Sequence, residues 1–285
     1  MRIAIVTDST AYLNKEDYEN SNIYFVPLSC IFKNEAFKEE VDITTKEFFE
    51  KVEQSPQLPT SSQPTIGDFT GLYESLREDY DAIISIHLSS RISGTFQNAF
   101  NVAQSIEGIS VHPFDSELTA AGQAFLVRSA SKMAEENKSV SEILEQLEEL
   151  KKVTRLFFVV DDVTNLIKGG RLSKAAGGVA TLLSIKPVLT LQAGEIIAYD
   201  KIRTKKKALK KIALLLKQAI KEANYPIKAT VLHAYCENEA LIFKEQLEEA
   251  FPDIPFGISH VGPVVGVHTG KGAVGLSWTK DTDHI

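Results

Sequence analysis

Apolar runs alternate with helix-period segments along almost the whole chain, and this alternation limits the fold more than any other feature of the sequence. Arg2–Thr7 (RIAIVT), Ala82–Leu88 (AIISIHL) and Leu156–Val160 (LFFVV) are predominantly apolar, as strands buried on both faces are. Further strands are expected at Ile23–Leu28, Ile109–Phe114, Ala229–Tyr235, Phe256–Val261 and Ala273–Trp278. Ala193-Gly194-Glu195, between Ile185–Leu191 and Ile196–Ile202, marks a hairpin. Between these runs lie expected helices: one capped by Thr45 and running through Val52, then Asp68–Arg77, Glu117–Asn137, Lys205–Ala223 and Asn238–Phe251. Ser93-Gly94-Thr95 opens another that runs through Ile106, and Ser139 begins one with Glu142 as its capping-box acid. Leu58–Gln63 (LPTSSQ) reads as a loop ended by Pro64, and the Gly- and Ala-rich Asn165–Ser184 reads as helical in pieces. The class is α/β. With 285 residues and a composition shift after Lys152, the chain divides into two α/β domains, 1–153 and 154–285.

Composition excludes several functions. No apolar run approaches the length of about 20 residues that a membrane helix needs. The opening MRIAIVTDST turns directly into a strand and has no signal-peptide pattern, so stable membrane insertion and export are not expected. A net charge of −7 argues against nucleic acid as the main partner. Cys30 and Cys236 stand far apart and give neither a zinc pattern nor a disulfide framework, which fits a reducing cytoplasm. A monomer is the expected state.

The stretch VGPVVGVHTGKG at 261–272 looks built to meet an anion. It is not a P-loop: only three residues separate Gly266 from Gly270, and Gly272 stands where a magnesium-binding hydroxyl would be. Its histidine, His268, has to be explained differently. Hydroxyl-rich turns fall at expected strand ends, at Asp8-Ser9-Thr10, Thr60-Ser61-Ser62, Ser89-Ser90, Ser93-Gly94-Thr95 and Asp115-Ser116. Ligands gather at such ends in open α/β sheets. Any one of these turns serves equally well as a helix cap. Ser93 is the best placed, because a helix start offers free N–H groups and a partial positive charge.

Ser93 does not sit in a nucleophile elbow, since R-I-S-G-T departs from G-x-S-x-G. A Ser93–His268 hydrolase would also need an acid that the sequence does not place. His87, His112, His233 and His260 fall in or at expected strands and read as structural. Asp281, Asp283 and His284 read as a solvated tail, and Asp161-Asp162 as cap or ion-pair residues, so no metal or cofactor is expected. Gly169-Gly170-Arg171 reads as a turn. The lysines from Lys205 onward, with Arg203, form a charged face open to an acidic or phosphate-bearing partner.

Eight blocks, taken in order, resemble the DegV family, the fatty-acid-binding proteins that serve bacterial fatty acid kinase. They are VTDST at 6–10, PTSSQPTIGDF at 59–69, ISIHLSSRISGTFQNA at 84–99, VHPFDSE at 111–117, VDDVTNLIKGGRLS at 160–173, IKPVL at 185–189, KIRTKKKA at 201–208 and GPVVGVHTGKGAVGL at 262–276. The resemblance implies two α/β domains with one long-chain fatty acid between them. It implies that Ser61, Ser93 and His268 grip the carboxylate, flanked by Thr60, Ser62, Gly94, Thr95 and Thr269. The family commonly has threonine where this chain has Ser61, which leaves the choice between Thr60 and Ser61 open. Lys271 stands where the family often has proline or glutamate and is assigned no ligand role. The resemblance also implies a carrier rather than an enzyme, whose bound acid a separate ATP-dependent kinase converts to acyl phosphate for phospholipid synthesis. Arg171, Arg203 and Lys205 are then candidates for kinase docking. The apolar tail is expected in the second domain, against Leu156–Val160 and Val179–Leu191. A Ser/His acyl hydrolase is the alternative; a kinase in its own right is disfavoured by the failed P-loop.

Overall fold

A computed structural model of the protein describes residues 1–19, 21–173 and 185–282. The first sheet is parallel, in the order β2 (Ile23–Val26), β1 (Ile3–Asp8), β6 (Ala82–His87), β7 (Ser110–Asp115). Its central strands β1 and β6 are buried at every residue, as their apolar runs require. Side chains alternate between the two faces. Ile3, Ile5, Ile84 and Ile86 pack on α5 (Ala120–Glu135) and α6 (Val140–Val153). Ala4, Val6 and Ile83 pack towards α3 (Ile66–Leu76) and α4 (Thr95–Ala103).

The second sheet is mixed, in the order β10 (Glu195–Asp200), β9 (Val188–Gln192), β8 (Arg155–Val159), β13 (Val274–Lys280), β11 (Ile227–His233), β12 (Phe256–His260). Phe157 and Val159 face the helices α8 (Lys205–Glu222) and α9 (Glu237–Ala250). Leu156, Phe158 and Val160 face the first domain, joining Phe48, Phe49 and Ala120 in one apolar cluster. The fold is thus two α/β domains, with the inner face of the second sheet turned towards the first domain. Among the described residues no helix is long and apolar enough to cross a membrane.

Several expectations need correction. A third, small antiparallel sheet, ordered β4 (Glu35–Lys38), β3 (Ser29–Phe32), β5 (Thr60–Ser62), has no counterpart in the sequence reading. Its β5 lies within LPTSSQ, read above as a loop. Three short polar residues give little strand signal, and it is pairing with β3 that makes them a strand. The cap of α2 (Thr45–Gln54) is Thr44 rather than Thr45, because Glu47 lies three residues after Thr44 and closes a capping box with it. The box of Thr65 and Asp68 likewise starts α3 at Ile66, two residues earlier than expected. The long helix α5 starts at Ala120 rather than Glu117, because Glu117 has positive φ and lies in a turn ahead of it. Most of Asn165–Ser184 lies outside the described residues, apart from α7 (Thr164–Lys168) and the turn after it.

Beneath the C-terminal ends of β1 and β6 lies a fully buried polar chain. Asp8 Oδ2 meets His87 Nδ1 at 3.0 Å, His87 Nε2 meets Ser85 Oγ at 2.6 Å, and Ser85 meets the Tyr73 hydroxyl at 2.7 Å. Asp8 also accepts from Leu88 N and Gln123 Nε2. Every hydrogen-bonding group here is used, which makes the burial tolerable. His87 is structural, as expected.

Candidate functional site

The glycine-rich stretch at 261–272 is not a loop throughout: Pro263–Thr269 form a helix, α10. Pro263 suits the first helical position, where its missing N–H is no loss. Gly262 and Gly270 fall outside as caps, so only Gly266 is internal, and there the helix packs against Phe48 and Phe49 of the first domain. His268 sits on the last turn. Across the domain boundary, antiparallel pairing with β3 leaves Thr60 and Ser62 exposed and turns Ser61 inwards. Ser61 Oγ and His268 Nε2 meet at 2.9 Å, although 207 positions separate them in sequence.

The imidazole stays neutral at ordinary pH. Burial, reinforced by the nearby charge of Arg171, pushes its pKa down from 6.5 to about 4. Its Nδ1 has no hydrogen-bond partner among the described residues. Gly169 lies directly against it, since a Cβ there would stand 2.6 Å from Nδ1. Arg171 donates from Nη1 to Gly169 O at 2.5 Å and from Nε to Ile92 O at 3.2 Å. Next in the chain is Ser93, whose hydroxyl meets the Thr95 hydroxyl at 2.9 Å and accepts from Thr95 N at 3.3 Å. One of the free N–H groups at the start of α4 is therefore satisfied by Ser93 itself.

Ser61, Ser62, Ser93, Arg171, His268 and Thr269 line a cavity of about 260 Å³ between the domains. Its apolar walls include Leu156, Phe158 and Leu232 of the second domain and Leu88, Ile92 and Ala120 of the first. Thr60, Gly94 and Thr95 do not line it. Thr95 is fully buried and engaged with Ser93. Thr119 lines the cavity and was not singled out in the sequence. Of the three docking candidates, Arg171 lines the cavity. Lys205 is held by Glu239 at 2.6 Å and Asp161 at 3.4 Å, and Arg203 is exposed. The Val179–Ser184 part of the expected tail wall lies outside the described residues.

Other chemistries find little support here. Among the described residues no group of three His, Cys, Asp or Glu is placed to hold a metal. Asp162 caps Thr164, and Asp161 pairs with Lys205. An Asp–His–Ser chain does exist at Asp8, His87 and Ser85, but all three are 0% exposed and cannot meet a substrate. His268, with no acid on Nδ1 and a pKa of about 4, is a poor general base.

The model of the DegV family matches residues 2–281. Protein DegV of Bacillus subtilis is 43% identical over 279 residues, covering 98% of this chain and 99% of that protein. The crystal structure of DegV from Bacillus subtilis, described as a fatty acid binding protein, superimposes with a TM-score of 0.93 at 42% identity, covering 99% of this chain and 100% of that one. A DegV family protein from Thermus thermophilus, described by its fatty acid binding, superimposes with a TM-score of 0.92 at 30% identity over 99% and 100% of the two chains.

Proposed function

The chain belongs to the DegV family, and from that premise we propose that it binds one long-chain fatty acid between its two domains, divided at residues 153 and 154, and presents the carboxylate to a separate ATP-dependent kinase. The observation that carries this reading is the inter-domain cavity. It joins apolar walls to a linked set of polar groups at Ser61, His268, Arg171 and Ser93. The hydroxyls of Ser61 and Ser93 and a neutral His268 Nε2–H are the donors to the carboxylate oxygens. With the imidazole uncharged, the Arg171 guanidinium is the counter-charge. Ser62 and Thr269 flank the head group. Ser61 is preferred over Thr60, which is exposed and outside the cavity.

The tail lies mainly against the second domain. Each methylene buried contributes about 0.8 kcal/mol. A chain of about fourteen gives on the order of 11 kcal/mol before ordering costs, enough to survive purification. The protein itself need catalyse nothing. A carboxylate oxygen attacks the terminal phosphorus of ATP on the partner, ADP leaves, and an acyl phosphate for phospholipid synthesis results. Arg203, exposed at the start of α8, is the favoured docking residue; Lys205 and Arg171 are the weaker choices, since their own contacts occupy them. The protein acts in this reading as a cytoplasmic monomer without a cofactor.

Native mass spectrometry of freshly purified protein, followed by solvent extraction, is the test. We expect a mass excess of one fatty acid, released as the free acid. The Ser93→Ala, His268→Ala double variant should hold palmitate at least about tenfold more weakly. A clean apo mass that also refuses added palmitate would sink the reading.

A further inference from the structure

Glu39 is a charged-type residue with no exposed surface, and no part of the carboxylate clamp described above uses it. It follows β4 in the small sheet that also carries Ser61, and its backbone N donates to Leu28 O at 2.8 Å. Its side chain leaves the first domain and meets the opening turn of α10. Glu39 Oε1 accepts from Val264 N at 2.7 Å and from the Tyr12 hydroxyl at 3.0 Å. That hydroxyl in turn accepts from Val265 N at 3.2 Å. Two of the N–H groups that a helix leaves unpaired at its start are thus satisfied from the opposite domain. The approach is tight: a Cβ on Gly262 would stand 2.5 Å from Tyr12 Cε1 and 2.9 Å from Glu39 Oε1. Val264 and His268 are four residues apart, one above the other on the same face of α10.

We propose that Glu39 is a positioning residue for the carboxylate clamp: from the first domain it fixes the opening turn of α10, and so sets where His268 meets Ser61. This rests on the fatty-acid reading above only for its functional consequence. A helix of two turns moves as a unit, so releasing its first turn shifts its last. Glu39 directly follows β4, and β4 and the Ser61 strand β5 flank β3 in one small sheet, so that sheet positions both ends of the Ser61–His268 contact. The other polar groups facing Glu39 are Ser9, Tyr12 and Glu40, with His260 beyond them, 3.3 Å from Glu40.

The experiment compares wild type, Glu39→Gln and Glu39→Ala. One readout is the nitrogen–proton NMR signature of the His268 ring in ligand-free protein; the other is titration with palmitate. Gln retains the Oε1 acceptor, so its ring signals should match wild type and its palmitate affinity stay within about threefold. Ala should shift the ring signals and weaken palmitate at least about tenfold. Unchanged signals and affinity in Glu39→Ala, or a Gln variant as perturbed as the Ala variant, would overturn the proposal. If circular dichroism shows that Glu39→Ala does not fold, Tyr12→Phe decides: a shifted ring supports the link to Val265, and an unshifted ring overturns it. A wild type that ignores palmitate while Glu39→Ala still shifts the ring would leave the positioning role standing and end the fatty-acid reading alone.

Discussion

At the scale of single residues, two buried titratable groups pull stability in opposite directions with pH. The His268 ring falls from 6.5 to about 4, chiefly through burial and then through Arg171. Between these values the unfolded chain binds the extra proton, so the contribution of His268 is intact above 6.5 and is lost as pH falls through about 4. Glu39 rises from 4.5 to about 7, chiefly through burial, against the hydrogen bonds from Val264 N and the Tyr12 hydroxyl. Here the folded chain holds the extra proton. Its contribution is intact below 4.5 and is lost as pH rises through about 7. Denaturant unfolding at pH 4.5 and 7 should therefore show Glu39→Gln gaining stability relative to wild type as pH rises; a constant difference would refute the assignment. The sequence made these two residues unequally visible. His268 stands out in a glycine-rich run. Glu39 hides in Lys38-Glu39-Glu40, where acidic residues read as solvated, and only the approach of a distant helix gives it a partner. Arg171 misled in the other direction, because nothing local shows that a surface-like arginine turns inwards to a glycine carbonyl.

Among the secondary-structure elements, those with a strong period or a capping pair were legible, and those made by pairing were not. Ser139 and Glu142 announce α6, and the Ala193-Gly194 turn announces the β9–β10 hairpin, with positive φ at both turn residues. The sheet of β3, β4 and β5 is short and polar, held by a register that no local pattern encodes. The helix α10 was obscured by its glycines, although two of the three lie at its ends. Capping makes a direct prediction at this scale. Thr65 accepts from Asp68 N at 3.1 Å, and Asp68 reaches back to Thr65 N at 2.9 Å, fixing the start of α3 just after the strand that bears Ser61. Thr65→Ala should cost about 1 kcal/mol in urea unfolding while palmitate still binds. A variant with unaltered unfolding would show that the box adds nothing to the helix.

Across the whole molecule, the site exists only while the domains are docked, because Ser61 and His268 come from different ones. Away from α10, the β9–β10 hairpin also touches the first domain. Ser89 Oγ donates to Gly194 O at 2.8 Å, and Arg91 meets Glu195 at 2.6 Å. These contacts differ in weight. Arg91 is 60% exposed and its ion pair is screened, whereas Ser89 is fully buried. Ser89→Ala should cost about 1–3 kcal/mol and speed amide exchange in Val188–Asp200. Arg91→Ala should change stability by less than about 1 kcal/mol. Equal effects of the two would refute this ranking. The order of the second sheet has a consequence of another kind. β13 is the last described strand along the chain, yet it lies in the middle, between β8 and β11. A polypeptide emerging from the ribosome can therefore pair β8 with β9 and β11 with β12, but nothing joins these two halves until Val274–Lys280 appear. The second core cannot close before then, and a nascent chain stalled short of that point has no place to hold a ligand.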